Sequence, residues 1–137
     1  MKTYNLFLDD FRMPIDCKNY MNELRYETLE WVIVRTHEEF TDMLISKWKE
    51  GEFPELVSFD HDLTNEHYHP SMFNGVKEYE CYYKGFSNPT GRRSAEFLVD
   101  FCSKNSIPLP EYLIHTMNPA GKERILNILC NKKSTHT

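Results

Sequence analysis

The stretch LVSFDHD, residues 56–62, ends a short apolar run with two aspartates and a histidine. The run at 56–59 is too short for a helix and is typical of a buried strand. The segment LFLDD, residues 6–10, repeats this pattern near the N-terminus. In open parallel sheets, ligands bind at the carboxyl ends of the strands. The two endings therefore predict one acidic site shared by neighbouring strands.

Strand patterns alternate with helical patterns along the chain, and this alternation predicts the fold class. Helical patterns begin at a capping sequence near Thr36, at the Thr-Gly pair of residues 90–91 and at Asn118-Pro119, and a short helix is expected within 15–30. The predicted strands are residues 4–8, 31–35, 56–59 and 112–116. We therefore expect an α/β fold of the flavodoxin or receiver type, a three-layer sandwich whose parallel sheet has the order 2-1-3-4 with helices on both faces.

The chain has 137 residues, which is the size of one ordinary domain. We expect a single domain over residues 1–131 and a frayed tail at 132–137. Residues 61–89 are too long for a structureless connection. They predict an insertion. Its residues 64–89 are expected to lie over the strand ends and to be more mobile than the sheet.

The composition limits the partners and the compartment. The net charge of −5 provides no overall basic field, so we expect no extended groove for nucleic acid. The N-terminus resembles neither a signal peptide nor a membrane span. The four cysteines are widely spaced and form no CxxC pair, which favours a reducing compartment. We expect a cytoplasmic protein.

The two acidic strand ends favour a metal site. Carboxylates that crowd together repel one another unless a cation compensates their charge. Mg²⁺ accepts oxygen ligands from a few carboxylates and completes its shell with water and phosphate oxygens. We therefore predict that Asp9, Asp10 and Asp60 hold Mg²⁺ or Mn²⁺. The alternative is that these aspartates only cap helices and turns.

Other candidate residues are expected at the same edge. His115 ends the fourth predicted strand and could transfer a proton, although a structural histidine would fit equally well. Arg12 could contact a carboxylate or a phosphate. The helix starts at 90–93 and 118–121 could bind an anion, with an ordinary cap as the alternative for Asn118. The phosphate-binding candidates at these positions are Arg12, Thr90, Gly91, Arg92 and Asn118.

Four motifs together resemble one family. The motifs LFLDDFRMP at 6–14, VSFDHDL at 57–63, TG at 90–91 and IHTMNPAG at 114–121 resemble the cyclic-phosphate-processing receiver-like domains, which are relatives of two-component receivers. The resemblance covers nearly the whole chain and implies action on cyclic phosphates in RNA repair or nucleotide signalling. The lysine that ends the fifth strand of a usual receiver is missing, which argues against aspartyl-phosphate signalling.

The resemblance also implies roles for individual residues. Asp9 and Asp10 match the acidic pocket of a receiver, and Asp60 matches its phosphoacceptor aspartate. His115 and Asn118 match the family's histidine–asparagine element. The remaining motif positions extend the candidate set: His61 and Thr116 join the phosphate-binding group, and Asp62 joins Asp60 and His115 as a catalytic candidate.

The leading hypothesis is a metal-dependent phosphoesterase that acts on a cyclic phosphate. Its substrate would be an RNA end with a 2′,3′-cyclic phosphate or a cyclic nucleotide. One alternative is a non-catalytic receiver-like protein that binds a nucleotide or a protein partner. A further alternative is a phosphatase of the haloacid-dehalogenase type with Asp60 as the nucleophile, because DHDLT at 60–64 resembles that family's DxDx[TV] motif. The order of the acidic motifs is opposite to the one that family uses.

Overall fold

A computed structural model describes residues 2–60 and 91–134, with the side chains of the last helix as far as residue 130. Within these residues, four strands form one parallel sheet in the order β2-β1-β3-β4. The strands are β1 Lys2–Leu8, β2 Val32–Val34, β3 Glu52–Phe59 and β4 Glu111–Ile114. The predicted fold class and strand order are confirmed.

Five helices lie in the described residues. They are α1 Pro14–Met21, α2 Arg25–Thr28, α3 His37–Lys49, α4 Gly91–Lys104 and α5 Pro119–Ser134. Two short helices stand where one was predicted within 15–30, and α5 continues to Ser134, into the segment that was expected to fray. The insertion predicted at 61–89 lies outside the described residues. None of the described helices is long and apolar enough to cross a membrane.

Side chains at the helix starts explain two of the boundaries. The Thr36 hydroxyl accepts a hydrogen bond from the backbone N–H of Glu39 at 3.1 Å, and this bond caps α3 as predicted. Asn118 caps α5, because its Oδ1 accepts the N–H of Gly121 at 3.1 Å. In both caps the side-chain oxygen accepts a backbone N–H of the first helical turn, which has no acceptor within the helix itself.

β3 begins at Glu52, earlier than the predicted residue 56, and contains Pro54. The pairing of β1 with β3 is irregular at this point, because Tyr4 pairs with Pro54 and Asn5 pairs with Leu56. Proline has no N–H to give to a sheet and is tolerated at such irregularities.

The sheet separates two cores, since successive side chains of a strand point to opposite faces. On one face, β1 and β3 pack against α3, α4 and α5; we call this the large core. Its strand residues include Leu6, Leu8, Val57 and Phe59, and its helix residues include Phe40, Leu44, Ala95, Leu98, Ile125 and Leu129. On the other face, Phe7 packs with Cys17 of α1 and Tyr26 of α2; we call this the small core. Helices therefore cover both faces.

Candidate functional site

Three side chains of ligand type stand side by side at the carboxyl edge of the sheet: Asp9, Asp60 and His115. Each is the first residue after its strand, and the ends of these strands are aligned in register. Backbone hydrogen bonds continue the alignment beyond the strands. The N–H of Asp60 donates to the carbonyl of Leu8 at 3.0 Å, and the N–H of His115 donates to the carbonyl of Phe59 at 2.9 Å.

This alignment brings the three side chains into one buried group. One potential ligand atom from each of them lies within 4.8 Å of the others. Asp9 and His115 have no exposed surface, and Asp60 is 1% exposed. The predicted convergence of Asp9 with Asp60 is present in the structure. His115, predicted as a proton-transfer residue, is the third member of the group.

Three hydrogen-bond donors and the His115 ring surround the carboxylate of Asp9. Oδ1 accepts the backbone N–H groups of Phe11 and Arg12, both at 3.0 Å. Oδ2 lies 3.2 Å from the Arg12 guanidinium and 3.0 Å from Nε2 of His115. Burial acts to raise the pKa of Asp9, but the hydrogen bonds from His115 and from the two backbone amides outweigh it and lower the pKa to about 2. Asp9 is therefore an ionised carboxylate.

Arg12 supplies positive charge to both aspartates. Besides its contact with Asp9, Nη1 lies 3.8 Å from Oδ1 of Asp60. Burial acts to lower the pKa of Arg12, but Asp9 and then Asp60 raise it overall. Arg35 holds the loop that carries these groups, because its Nη1 donates to the backbone carbonyls of Asp9 at 3.1 Å and of Arg12 at 2.6 Å. Arg12 was predicted to contact a carboxylate or a phosphate, and in the structure it contacts carboxylates.

Asp10 lies next to the three-residue group without being part of it. Both of its carboxylate oxygens are buried, and neither has a hydrogen-bond partner among the described residues. Burial, followed by the charge of Asp9, raises the pKa of Asp10 to about 7. A buried carboxylate without partners is a group that a cation would satisfy, so Asp10 stays a predicted ligand.

His115 is joined to two residues that sequence reasoning did not identify. Its Nδ1 lies 2.6 Å from the hydroxyl of Ser58, which lies 2.7 Å from the hydroxyl of Tyr26. The imidazole stacks on Phe7, with ring centroids 4.5 Å apart and planes 6° from parallel. Burial lowers the pKa of His115, although Asp9 acts in the opposite direction. One sequence signal was available: Ser58 interrupts an apolar strand, and a buried hydroxyl needs a partner.

The remaining candidates are less closely tied to this group. Gly91 is buried at the first position of α4, and Arg92 is exposed. The hydroxyl of Thr116 accepts the N–H of Asn118 at 3.2 Å. Asn118 caps α5, in agreement with the alternative given for it above. The candidates at 61, 62 and 90, which are His61, Asp62 and Thr90, lie outside the described residues.

The donor set fits a hard divalent cation. Two adjacent buried carboxylates offer oxygen ligands, which Mg²⁺ and Mn²⁺ prefer. Asp10, whose carboxylate has no hydrogen-bond partner among the described residues, offers further oxygen atoms. Arg12 is the cationic side chain described in contact with the aspartate pair. His115 could add a nitrogen ligand only if the nitrogen that faces Asp9 carried no proton.

One family of known proteins matches the chain over most of its length. The family model of the cyclic-phosphate processing receiver domain matches residues 4–131, from β1 into α5. No curated protein and no solved structure matches the chain.

Proposed function

This chain belongs to the cyclic-phosphate processing receiver domain family, and from that membership we propose that it is a metal-dependent phosphoesterase acting on a cyclic phosphate. The family supports a role in cyclic-phosphate processing; the hydrolytic reaction and the metal are the proposed part. Two substrate classes are proposed, an RNA end with a 2′,3′-cyclic phosphate and a cyclic nucleotide. The observation that carries the proposal is the buried pair of Asp9 and Asp60 at the carboxyl edge of the sheet.

In this proposal Asp9 and Asp60, together with Asp10, would hold Mg²⁺ or Mn²⁺. When bound, the cation would polarise a phosphoryl oxygen and lower the pKa of a water molecule. Arg12 holds the two carboxylates together, since its guanidinium contacts both. The same guanidinium is a suitable partner for a phosphate oxygen that arrives at this edge.

The burial of His115 favours an indirect role. Both of its ring nitrogens have hydrogen-bond partners inside the protein, and the ring has no exposed surface. We propose that His115 orients Asp9 instead of exchanging a proton with substrate. Contacts to the phosphate are proposed for Thr90, Arg92 and Asn118, and Asp62 remains a proposed catalytic residue.

The test compares the wild-type protein with Asp60→Asn. Thermal melts in EDTA and in millimolar Mn²⁺ measure metal binding, and reversed-phase chromatography follows hydrolysis of 2′,3′- and 3′,5′-cyclic mononucleotides. We expect Mn²⁺ to raise the Tm of the wild type and to permit hydrolysis. Asp60→Asn should lose both responses, because it removes a charged ligand while it nearly preserves the shape of the side chain. Its Tm in EDTA should be unchanged or higher, since it relieves repulsion between carboxylates.

Asp42→Asn is the matched control, because Asp42 is an exposed carboxylate on α3. This variant should keep both the metal shift and the hydrolysis. An undiminished Mn²⁺ shift in Asp60→Asn would remove Asp60 from the site. Stabilisation of the wild type by a cyclic nucleotide without any product would favour the receiver-like binding protein over the enzyme.

A further inference from the structure

We propose that Tyr26 and Ser58 hold His115 with its proton on Nε2, so that His115 serves Asp9 as a hydrogen-bond donor and is not itself a ligand of the metal. The part concerning the metal rests on the proposed function. The part concerning the proton stands without it. The positions of the side chains alone allow two ligand sets, one that includes His115 and one that does not. A proton on Nε2 excludes the first.

Asp9 determines where the proton of the His115 ring lies. Its Oδ2 lies 3.0 Å from Nε2 of His115. The backbone N–H groups of Phe11 and Arg12 and the Arg12 guanidinium donate to the same carboxylate, and these three donors favour its ionised form. An ionised carboxylate can only accept hydrogen bonds, so the proton of this contact must be on Nε2. A bare Nε2 would direct its lone pair at a negatively charged oxygen.

The other side of the ring is consistent with this assignment. A neutral imidazole protonated on Nε2 has an acceptor at Nδ1. The Ser58 hydroxyl, 2.6 Å away, can supply the proton that Nδ1 accepts. Ser58 has only one proton to give, so Tyr26 must be the donor in its contact with Ser58 at 2.7 Å. All three hydrogen bonds then run in one direction, from Tyr26 through Ser58 and His115 to Asp9.

The opposite direction leaves groups unsatisfied. If Nδ1 carried the proton, the Ser58 hydroxyl would accept it, and the hydroxyl protons of Ser58 and Tyr26 would have only the contact between these two residues to share. One of the two protons would then need another acceptor, and among the described residues these hydroxyls have no hydrogen-bond partner beyond each other and His115. A buried donor without an acceptor costs about 1–3 kcal/mol. A doubly protonated ring would leave the same hydroxyl proton without an acceptor and would be a charge with no exposed surface.

The consequence concerns the metal. A histidine binds a cation through the lone pair of a ring nitrogen, and Nε2 is the nitrogen that faces Asp9. With a proton on Nε2, His115 can only orient the carboxylate that would bind the cation. Partners of metal ligands that act in this way typically change metal affinity by about 10–100-fold when they are replaced. Ser58 and Tyr26 are therefore positioning residues that act through His115.

The first experiment detects the ring protons by NMR. Long-range ¹H–¹⁵N spectra of histidine-labelled protein are recorded in EDTA and in saturating Mg²⁺, which is diamagnetic. The His115 signals are assigned by their absence from His115→Gln. We expect a protonated Nε2 and a hydrogen-bonded, unprotonated Nδ1 in both conditions. In Ser58→Ala the ¹⁵N chemical shift of Nδ1 should move to the value of a nitrogen without a hydrogen bond. Ser58→Thr should restore the wild-type chemical shift.

Four outcomes are informative. A wild-type ring protonated on Nδ1 alone, or on both nitrogens, overturns the inference. A proton that moves from Nε2 to Nδ1 when Mg²⁺ is added would make His115 a metal ligand, which also overturns the inference and leaves the proposed function intact. An unchanged Nδ1 signal in Ser58→Ala removes Ser58 from the arrangement and overturns it as well. If Mg²⁺ changes neither the spectrum nor the Tm, the proposed function fails, while the proton assignment is still decided by the spectra in EDTA.

The second experiment measures Mn²⁺ affinity in the same variants. Ser58→Ala should weaken binding by about 10–100-fold, and Ser58→Thr should recover most of the loss. Tyr26→Phe keeps the aromatic ring and removes only the donor to Ser58, so it should weaken binding by a smaller factor. This variant also carries the test if Ser58→Ala does not fold. Unchanged affinity in every variant that folds would overturn the positioning role.

Discussion

The two faces of the sheet are built from the same strands but contain different chemistry. The large core is formed by aliphatic and aromatic side chains from β1, β3 and three helices. The small core has few buried apolar residues, and a row of hydrogen-bonded polar groups passes through it. Strand β3 shows the division clearly, because Val57 and Phe59 point into the large core while Ser58 lies between them on the other face.

This difference separates two tasks within one sheet. Burial of apolar surface is the dominant favourable term in folding, and most of that surface lies in the large core. Buried polar groups add little net stability, but their hydrogen bonds are directional and specify one arrangement. The small core ends in His115, which contacts Asp9 at the carboxyl edge. The face that buries less apolar surface is thus the one whose side chains orient the candidate site.

The largest expected effect belongs to the large core. Leu44 is fully buried there, whereas its neighbour Ile45 on α3 is 38% exposed. Leu44→Ala should lower the free energy of unfolding by about 2–5 kcal/mol, because it removes apolar contacts and leaves a cavity. Ile45→Ala is the matched control and should change it by only about 0.5 kcal/mol. Urea unfolding measures both, and equal losses would contradict the packing assigned to α3.

A smaller effect should distinguish two tyrosine hydroxyls on opposite faces. Tyr26 belongs to the small core and is hydrogen bonded to Ser58, whereas Tyr4 packs against the large core and its buried hydroxyl has no partner among the described residues. Tyr26→Phe should cost about 0.5–1.5 kcal/mol, the net value of a typical hydrogen bond. Tyr4→Phe should be neutral or stabilising, since it removes an unsatisfied polar group.

Both tyrosine variants are measured by urea unfolding under identical conditions. The double variant should show the sum of the two effects, since the residues share no hydrogen-bond partner. A loss on Tyr4→Phe as large as that on Tyr26→Phe would mean that polar groups are satisfied equally on the two faces.

The last expected effect is a dependence of stability on pH at the acidic edge. The pKa of Asp10 is raised from 3.8 to about 7, with burial as the main cause and the charge of Asp9 as the second. Between these two values the folded protein binds more protons at Asp10 than the unfolded chain does. Asp10 therefore makes the metal-free protein less stable as the pH rises through this interval.

Asp10→Asn should remove that contribution. In EDTA, the stability of the variant relative to the wild type should increase as the pH rises from 3.8 to about 7. Denaturant unfolding across this interval measures the difference, and parallel profiles for the two proteins would contradict the environment assigned to Asp10. If Asp10 is a ligand, the free energy of unfolding should depend on pH in the same way in both proteins once Mn²⁺ is present, because the cation favours the ionised carboxylate.

Much of this arrangement was predictable from local sequence. Apolar runs that end in Asp9 and Asp60, separated by helical patterns, were enough to predict parallel strands whose carboxyl ends share one edge. The caps at Thr36 and Asn118 were also recognisable, since capping depends on residues only three positions apart. These features are local or periodic, so the order of residues along the chain determines them.

The tertiary structure decided which groups touch. His115 lies 106 residues from Asp9, Ser58 lies 57 residues from His115, and Tyr26 lies 32 residues from Ser58. Period-two alternation places Asp9, Ser58 and His115 on one face only after the register of β1, β3 and β4 has been set, and Tyr26 reaches them from α2. That register depends on how both cores pack as a whole. The sequence by itself determined that acidic strand ends meet, whereas the joining of Asp9 to His115 and the separate position of Asp10 depended on tertiary packing.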